Sequence, residues 1–330
     1  MGTLNAGWRH HYAVINDIDV HYVTQGEGMP VVLCHGFPHC WFSWHRQITA
    51  FAEAGFRVVA VDMRGMGQTE GPEPFTEYSV ECITQDLHAL LDHLCIERAV
   101  FAGLDFGAFA IYDFALRHPE RVEAVIGLEN PAAPHNPDLS PFDEYAEMAK
   151  KHFLHIEYFR EPGIADRDLA AAPREFFRKV FWLLSGEGDY FETWKHPVGT
   201  TYIDAMPEPP ALPWPWLSEL ELEVFVNEYS RSGFTGGLNW YRSMDLKWQE
   251  RKLFEGVQSQ VPAYFLGSEH DVDLKAFHGD DPISLMRAQF ADLRRVEMIA
   301  GAGHMIQLEA SDEVNRIMLD FLVDIEKRRS

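Results

Sequence analysis

Cysteine, basic residues and long apolar runs are all scarce in this sequence, and each scarcity excludes a class of protein. The four cysteines, Cys34, Cys40, Cys82 and Cys95, match no zinc-ligand spacing and are expected to be reduced, mostly buried thiols. No apolar run approaches the roughly 20 residues that a membrane-spanning helix needs. Lys and Arg number 28 against 51 Asp and Glu, a formal charge of 28 − 51 = −23. Because an acidic surface repels phosphate groups, neither nucleic acid nor a membrane is expected as a partner, and most of this charge is expected to aid solubility.

The amino-terminal residues and the length of the chain set the next limits. Met1 to Trp8 include no basic segment followed by an apolar stretch, so no signal peptide is visible. Together with the reduced thiols, this predicts a cytoplasmic protein. With 330 residues, 46% of them hydrophobic, the chain can bury one large core, or a core and a lid.

Strand-like and helix-like segments alternate in the first part of the chain. Short apolar, β-branched runs lie at Val31–Cys34, Arg57–Asp62, Ala99–Ala102 and Val122–Ile126, with helical patterns at Val80–Leu94 and Phe106–Arg117. Continuous apolar strands that alternate with helices indicate a mostly parallel sheet covered on both faces. The expected fold class is therefore α/β, with a doubly wound, mostly parallel sheet.

The alternation stops after Glu129, and a long helical, aromatic-rich stretch follows. It contains a proline-dense loop at Pro207–Pro215. Strand patterns resume at Val261–Leu266 and Arg295–Ile299. The sequence therefore predicts a core formed by residues 1–134 and 255–330, with a helical cap at 135–254 inserted between the two parts.

One turn between a strand and a helix has the composition of a nucleophile turn. The strand pattern at Ala99–Ala102 runs into Gly103-Leu-Asp-Phe-Gly107, and a helical pattern follows at once. In so sharp a turn the central residue, Asp105, would be strained, and its side chain would project over the sheet at the positive end of the next helix. The same pattern also describes an ordinary turn with an N-capping aspartate. The presence of an oxyanion loop, a base and an acid elsewhere in the chain must therefore distinguish the two.

A loop after an earlier strand offers the first partner. His35-Gly-Phe-Pro38 follows the strand pattern at Val31–Cys34. In the α/β-hydrolase fold this loop supplies one backbone N–H to the oxyanion hole, and the residue after the nucleophile supplies the second. Phe37 and Phe106 are the two expected donors, because both can point at the oxygen that gains charge when an ester carbon becomes tetrahedral. Taken alone, the loop could be an ordinary tight turn.

The candidate base and its orienting acid lie near the carboxyl end. His304 stands in Gly301-Ala-Gly-His304, after the last strand pattern, and the chain order nucleophile, acid, histidine fits this fold. Asp271 and Glu129 each follow a strand pattern, and either can reach the same imidazole because the carboxyl ends of parallel strands meet at one edge. Both acids stay open, with a slight preference for Asp271.

An aspartate nucleophile indicates a particular chemistry. A carboxylate is already ionised near neutral pH, so Asp105 can displace a leaving group at a saturated carbon and form an alkyl-enzyme ester. His304 can then activate the water that hydrolyses this ester. A halide or the oxygen of a strained epoxide would suit such a displacement. In the cap, Tyr241 is the candidate donor to an epoxide oxygen, although it could also be part of a packing patch with Trp240.

The sequence resembles the epoxide hydrolase family of α/β-hydrolases over nearly its whole length. The resemblance rests on the motifs around Asp105, Phe37 and His304, and on further motifs at Trp41-Phe-Ser-Trp44, Asp62-Met-Arg-Gly-Met-Gly67, Tyr158-Phe-Arg-Glu-Pro-Gly163 and Ser232 to Arg242. The cap motifs are the specific part, since the core motifs alone would also fit dehalogenases. The resemblance implies an eight-stranded sheet with an inserted helical cap, and a small-molecule epoxide as substrate, with no cofactor and no metal. Phe37, Phe106 and Trp240 are the expected substrate contacts.

The resemblance also implies a second donor in the cap. The family usually has a tyrosine three residues before the Tyr-Phe of the Tyr158 motif, where this chain has His155, as in the His/Tyr pair of the Cif-type epoxide hydrolases. Those enzymes also use a glutamate at the position of Glu129, yet Asp271 occupies the usual acid position of the family. Leu104 is another departure, since the family often has histidine there. If His155 acts as a cation, ring opening should weaken with rising pH.

Three other interpretations of these motifs fit the sequence less well. A dehalogenase usually has a tryptophan after the nucleophile, or a histidine–tryptophan pair in its lid, whereas this chain has Phe106 and Ile156. A ligand-binding member of the fold that lacks activity would usually have lost a catalytic residue. A metal pair of His152 and His155 on one helix lacks a third ligand nearby. As a further partner, a second copy of the chain is expected, because an aromatic cap often supports a homodimer.

Overall fold

The computed structural model describes residues 7–329, so most of the segment in which a signal peptide was sought lies outside the described residues. Within this range, no helix has the length and apolar character needed to cross a bilayer. The four cysteines are free. Cys34 and Cys40 are buried, whereas Cys82 is half-buried and Cys95 is exposed, so the prediction of mostly buried thiols is right for two of the four.

A mostly parallel eight-stranded sheet forms the centre of the molecule, as predicted. In chain order its strands are β1 (Arg9–Ile15), β2 (Ile18–Gln25), β3 (Met29–Cys34), β4 (Phe56–Val61), β5 (Ala99–Leu104), β6 (Val122–Leu128), β7 (Ala263–Ser268) and β8 (Leu293–Ile299). Their spatial order is β1-β2-β4-β3-β5-β6-β7-β8. From β4 to β8 every neighbouring pair is parallel, whereas β1 pairs with β2 and β2 with β4 in antiparallel fashion. β3 and β5 lie side by side at the centre, where every residue of β5 is buried.

Fifteen α-helices occur in the described range. In chain order they are α1 (His45–Glu53), α2 (Val80–His93), α3 (Phe106–Arg117), α4 (Pro141–Ala149), α5 (His155–Arg160), α6 (Ile164–Ala171), α7 (Pro173–Leu183), α8 (Tyr202–Ala205), α9 (Glu219–Ser232), α10 (Thr235–Arg242), α11 (Met244–Arg251), α12 (Val272–Ala276), α13 (Pro282–Gln289), α14 (Ile306–Glu309) and α15 (Ser311–Arg329). Helix α1 packs against α15, and α2 packs against α3. These pairs connect and cover the strands, as continuous apolar strands require.

Helices α4 to α11 lie between β6 and β7, in the part of the chain where the sequence predicts the cap. The loop at Pro207–Pro215 separates α8 from α9. Side chains of this segment bond to the core backbone: the Tyr229 hydroxyl donates to the His39 carbonyl at 2.8 Å, and Trp240 Nε1 donates to the Arg64 carbonyl at 2.9 Å. The boundaries at 134/135 and 254/255 stay a prediction, because no independent division of the chain tests them.

Candidate active site

Asp105 stands at the turn between β5 and α3 in a strained conformation. Its φ is 54° and its ψ is −128°, a region that side chains rarely adopt. Although it occupies the N-cap position of α3, its side chain makes no capping hydrogen bond. The turn is crowded, since a Cβ on Gly36 would lie 1.9 Å from Asp105 Oδ1. The strain and the missing cap both favour the nucleophile interpretation over an ordinary N-cap.

The two oxygens of the Asp105 carboxylate have different surroundings. Oδ1 accepts a hydrogen bond from the backbone N–H of Phe37 at 2.8 Å, and the backbone N–H of Phe106 also bonds to this carboxylate. Oδ2 lies 3.9 Å from His304 Nε2. Both predicted oxyanion donors therefore bond to the Asp105 carboxylate, and Oδ2 is the oxygen near the predicted base.

Burial raises the pKa of Asp105 to about 6, because the charged carboxylate loses its hydration. The positive charge of His304 and the two backbone N–H groups oppose this rise, and the nearby carboxylate of Asp273 adds to it. At neutral pH most Asp105 side chains are therefore still ionised.

A pH profile would test this ionisation. Only the carboxylate can attack, so ester formation should fall about tenfold for each pH unit below 6, since protonation removes the nucleophile. Single-turnover kinetics between pH 4.5 and 8 would measure this step alone. A rate that stays constant down to pH 4.5 would contradict an Asp105 pKa of about 6.

Both the side chain and the backbone of the candidate base, His304, are held by hydrogen bonds. Nδ1 of His304 lies 2.7 Å from Oδ1 of Asp271, and the backbone N–H of His304 donates to the Leu184 carbonyl at 2.8 Å. The Glu309 carboxylate accepts hydrogen bonds from the backbone N–H groups of Gly186, at 2.7 Å, and Met305, at 3.1 Å. The loop that carries His304 is thus attached to the segment between α7 and α8.

Asp271, and not Glu129, contacts the histidine. The Asp271 side chain is fully buried, and its other oxygen accepts the backbone N–H of Leu274 at 2.8 Å. Burial disfavours the imidazolium, but the charge and hydrogen bond of Asp271, together with the charges of Asp273 and Asp105, outweigh it and raise the pKa of His304 well above its usual value. The geometry therefore favours Asp271 as the orienting acid.

Glu129 has a different environment. It is fully buried with a φ of 61°, and its Oε2 accepts the backbone N–H of Ser268 at 2.9 Å. Among the described residues its Oε1 has no hydrogen-bond partner. Burial and, next, the charge of Asp271 raise the pKa of Glu129 well above its usual value, which favours its uncharged form.

The candidate donors lie above the nucleophile, at a cavity of about 80 Å³. Tyr241 packs edge-to-face against Phe106 with ring centroids 4.7 Å apart, and its own ring lies 6.0 Å from that of His155. The cavity brings together these predicted site residues: Phe37, Asp105, Phe106, His155, Tyr241 and His304. Trp240 is not among its lining residues, so the predicted substrate contact by Trp240 has no support in this geometry. Its indole packs instead under the cap and donates to Arg64.

Tyr190 was not predicted, yet it orients His155. Its hydroxyl forms a hydrogen bond with His155 Nδ1. If the hydroxyl is the donor, the proton of the neutral imidazole resides on Nε2, which is then a hydrogen-bond donor. Burial lowers the pKa of His155 to about 4, so the residue is neutral at neutral pH. This pKa argues against the cationic form of His155 and fits a neutral hydrogen-bond donor. No local sequence pattern identifies Tyr190 as a partner of His155, because it lies 35 residues after His155 in the chain, in a short 3-10 helix.

Two sets of described residues are close enough to hold a metal ion, and neither includes His152 or His155. His152 precedes α5 and its Nδ1 bonds to the Phe153 carbonyl, so the expectation that both histidines lie on one helix is wrong. One set lies near the surface and comprises His88, His118 and Glu120. The other comprises Asp105, Asp273 and His304, where a cation would occupy the carboxylate that attacks.

Comparison with known proteins agrees with this geometry. A family model described as the alpha/beta hydrolase fold matches residues 29–173. Epoxide hydrolase A of Mycobacterium tuberculosis is 37% identical over 317 residues, which cover 95% of this chain and 97% of that protein. Bifunctional epoxide hydrolase 2 of Sus scrofa is 35% identical over 95% of this chain and 55% of its own.

Solved structures give the same result. The crystal structure of epoxide hydrolase A from Mycobacterium thermoresistibile superposes with a TM-score of 0.88 at 36% identity, covering 96% of this chain and 98% of the other. An epoxide hydrolase from an endophytic Streptomyces has a TM-score of 0.91 at 31% identity, with 97% of each chain covered. The protein is thus a hydrolase with the α/β-hydrolase fold, as predicted. Within that fold, the chain belongs to the epoxide hydrolase family.

Proposed function

We propose that the protein converts an epoxide to a vicinal diol through a covalent ester on Asp105. The observation that supports this proposal most strongly is that the two oxygens of the Asp105 carboxylate have different neighbours. Oδ1 is held by the N–H of Phe37 at 2.8 Å, and Oδ2 faces the cavity beside His304. Oδ2 is therefore the oxygen that attacks an epoxide carbon.

In the first step a bond forms between Oδ2 and an epoxide carbon, and the carbon–oxygen bond of the strained ring breaks. Tyr241 and neutral His155 donate hydrogen bonds to the departing oxygen, which takes a proton from one of them. Burial and the charge of Asp105 raise the pKa of Tyr241 well above its usual value. A phenolate formed there would therefore recapture a proton readily, which restores the donor.

In the second step His304 removes a proton from water, and the resulting hydroxide attacks Cγ of the Asp105 ester. Oδ1 becomes the oxyanion and is stabilised by the backbone N–H groups of Phe37 and Phe106. Collapse of this intermediate breaks the bond from Cγ to the alkyl oxygen, which takes the proton from His304 and leaves as part of the diol. Because the ester is uncharged, one of the charges that raises the pKa of His304 is absent during this step.

A dehalogenase is the alternative function, and the lining of the cavity argues against it. Halide release needs N–H donors, which tryptophan indoles often supply. Among the described residues that line the cavity none is tryptophan, and His155 is followed by Ile156. The Tyr241 hydroxyl suits an oxygen leaving group, which accepts a hydrogen bond and then a proton.

Trapping of the intermediate would test the proposal directly. In a His304→Gln variant, incubation with an epoxide such as styrene oxide should leave the alkyl group as an ester on the peptide that contains Asp105. Mass spectrometry would detect the added mass of one epoxide. A double variant, Asp105→Asn with His304→Gln, should show none. Halide release from a haloalkane without any reaction of the epoxide would instead support the dehalogenase.

The remaining parts of the proposal concern location and assembly. The acidic charge of −23 and the four free cysteines support a cytoplasmic enzyme that acts on a small molecule and binds neither nucleic acid nor membrane. The homodimer stays a prediction.

A further inference from the structure

A second carboxylate, that of Asp273, lines the cavity and has no part in the mechanism above. It lies in α12, two residues after Asp271, and 20% of its side chain is exposed. Oδ2 accepts a hydrogen bond from Asn130 Nδ2 at 2.8 Å. The described residues donate no hydrogen bond to its Oδ1, so this oxygen is free to accept one from a ligand.

The charges around Asp273 do not balance. One oxygen of Asp105, one of Asp273 and one nitrogen of His304 all lie within 4.8 Å of one another. His304 Nδ1 is 3.9 Å from Asp273 but 2.7 Å from Asp271, so a single imidazolium serves three carboxylates. Within the described part of the chain, no lysine or arginine forms an ion pair with Asp273. The cavity therefore has excess negative charge when empty.

The charge of Asp273 also shifts the pKa of neighbouring side chains. The charge of Asp273 raises the pKa of Asp105, after the larger effect of burial, and it does the same for Tyr241 and Tyr202. A buried lysine, Lys247, has its Nζ over the Phe106 ring, 5.2 Å from the ring centroid, and donates to the Trp240 carbonyl at 3.1 Å. Burial lowers the pKa of Lys247 to about 7, so it offsets this charge only in part.

Aromatic side chains line the same cavity as Asp273. The N–H of Phe277, one helical turn further along, donates to the Asp273 carbonyl, and the Phe277 ring packs edge-to-face against Tyr145 with centroids 6.0 Å apart. Tyr145, Tyr202 and Phe277 all line the cavity. A carboxylate among aromatic faces is a favourable environment for an organic ammonium group, which is attracted by the carboxylate charge and by the faces of the rings.

We propose that Asp273 makes the enzyme selective for small epoxides that bear an ammonium group close to the oxirane. The inference rests on the proposed function, because it places the oxirane at Asp105 and the ammonium group at Asp273. A carboxylate-bearing epoxide would be repelled from the same position. The net charge of −23 also favours the approach of a cation over that of an anion.

A matched pair of substrates tests this selectivity. Glycidyltrimethylammonium and 1,2-epoxy-4,4-dimethylpentane have nearly the same shape, because a carbon replaces the charged nitrogen in the second compound. We expect kcat/KM of the wild type to be about tenfold higher for the cation. In Asp273→Asn the ratio should fall to about one, and any effect on ring opening common to both substrates cancels in the ratio. The control Asp312→Asn removes the same charge from the exposed start of α15 and should keep the wild-type ratio.

Binding of the two corresponding diols supplies a measurement that needs no turnover. By calorimetry or ligand-detected NMR, the trimethylammonium diol should bind the wild type about tenfold more tightly than its carbon analogue, and Asp273→Asn should abolish the difference. If neither epoxide is hydrolysed but this difference is found, the proposed function fails and the cation site stands. If the neutral epoxide is hydrolysed and no preference for the cation appears in either assay, or if Asp273→Asn retains the preference, the role of Asp273 is overturned.

Discussion

Asp105→Asn should lower the rate of epoxide opening by about four orders of magnitude or more, because an amide cannot form the ester that both steps require. The amide keeps the shape of the side chain and can still accept the hydrogen bond from Phe37 through its carbonyl oxygen. The variant should therefore fold normally. Burst and steady-state kinetics with a neutral epoxide would measure the loss, and circular dichroism would confirm the fold.

Two outcomes would separate the interpretations of Asp105. A variant that is inactive but folded and able to bind the diol supports the nucleophile. Retention of more than about a tenth of the wild-type rate would mean that water attacks the epoxide directly, with Asp105 only as a structural residue or a base.

The second large effect should distinguish Asp271 from Glu129. Asp271→Asn should slow hydrolysis of the ester by about 10³- to 10⁴-fold, because an amide can hold the wrong tautomer of His304 and does not stabilise the imidazolium. Glu129→Gln should slow it by less than about tenfold, because burial favours the uncharged form of Glu129 and this side chain bonds to Ser268 rather than to His304. Single-turnover experiments followed by mass spectrometry would show ester accumulation in the first variant and little in the second.

The pair of amide substitutions is its own control, since each replaces one buried carboxyl group by a group of the same size. The assignment to Asp271 would be wrong if Glu129→Gln showed the larger loss. Equal losses would mean that the two carboxyl groups act as one unit behind His304.

Much of the fold was predictable because its signals are local. Strands such as β3 and β5 are buried on both faces, and their continuous apolar runs predict this from the sequence. The hairpin of β1 and β2 was not identified, because β1 is an edge strand with Tyr12 and Val14 exposed and has no simple apolar run. The placement of His152 on the helix of His155 was wrong because that helix begins only at His155.

The residues of the site also differ in whether a local sequence pattern marks them. Asp105, Phe37 and His304 follow strands in characteristic turns, so their meeting at one edge of the sheet follows from topology. Tyr190 and Asp273 contribute through packing between segments distant in the chain, and no local pattern marks such contacts. The choice between Asp271 and Glu129 needed a distance, because both follow strands at the same edge and both are fully buried.

The attachment of the His304 loop also limits how a substrate can enter. Leu184 and Gly186 belong to the predicted cap, and both bond to the loop of the base or to Glu309 beside it. If this side of the cap lifted, the base would move with it and lose its alignment with Asp105. These bonds therefore couple the position of the base to that of the predicted cap at this point.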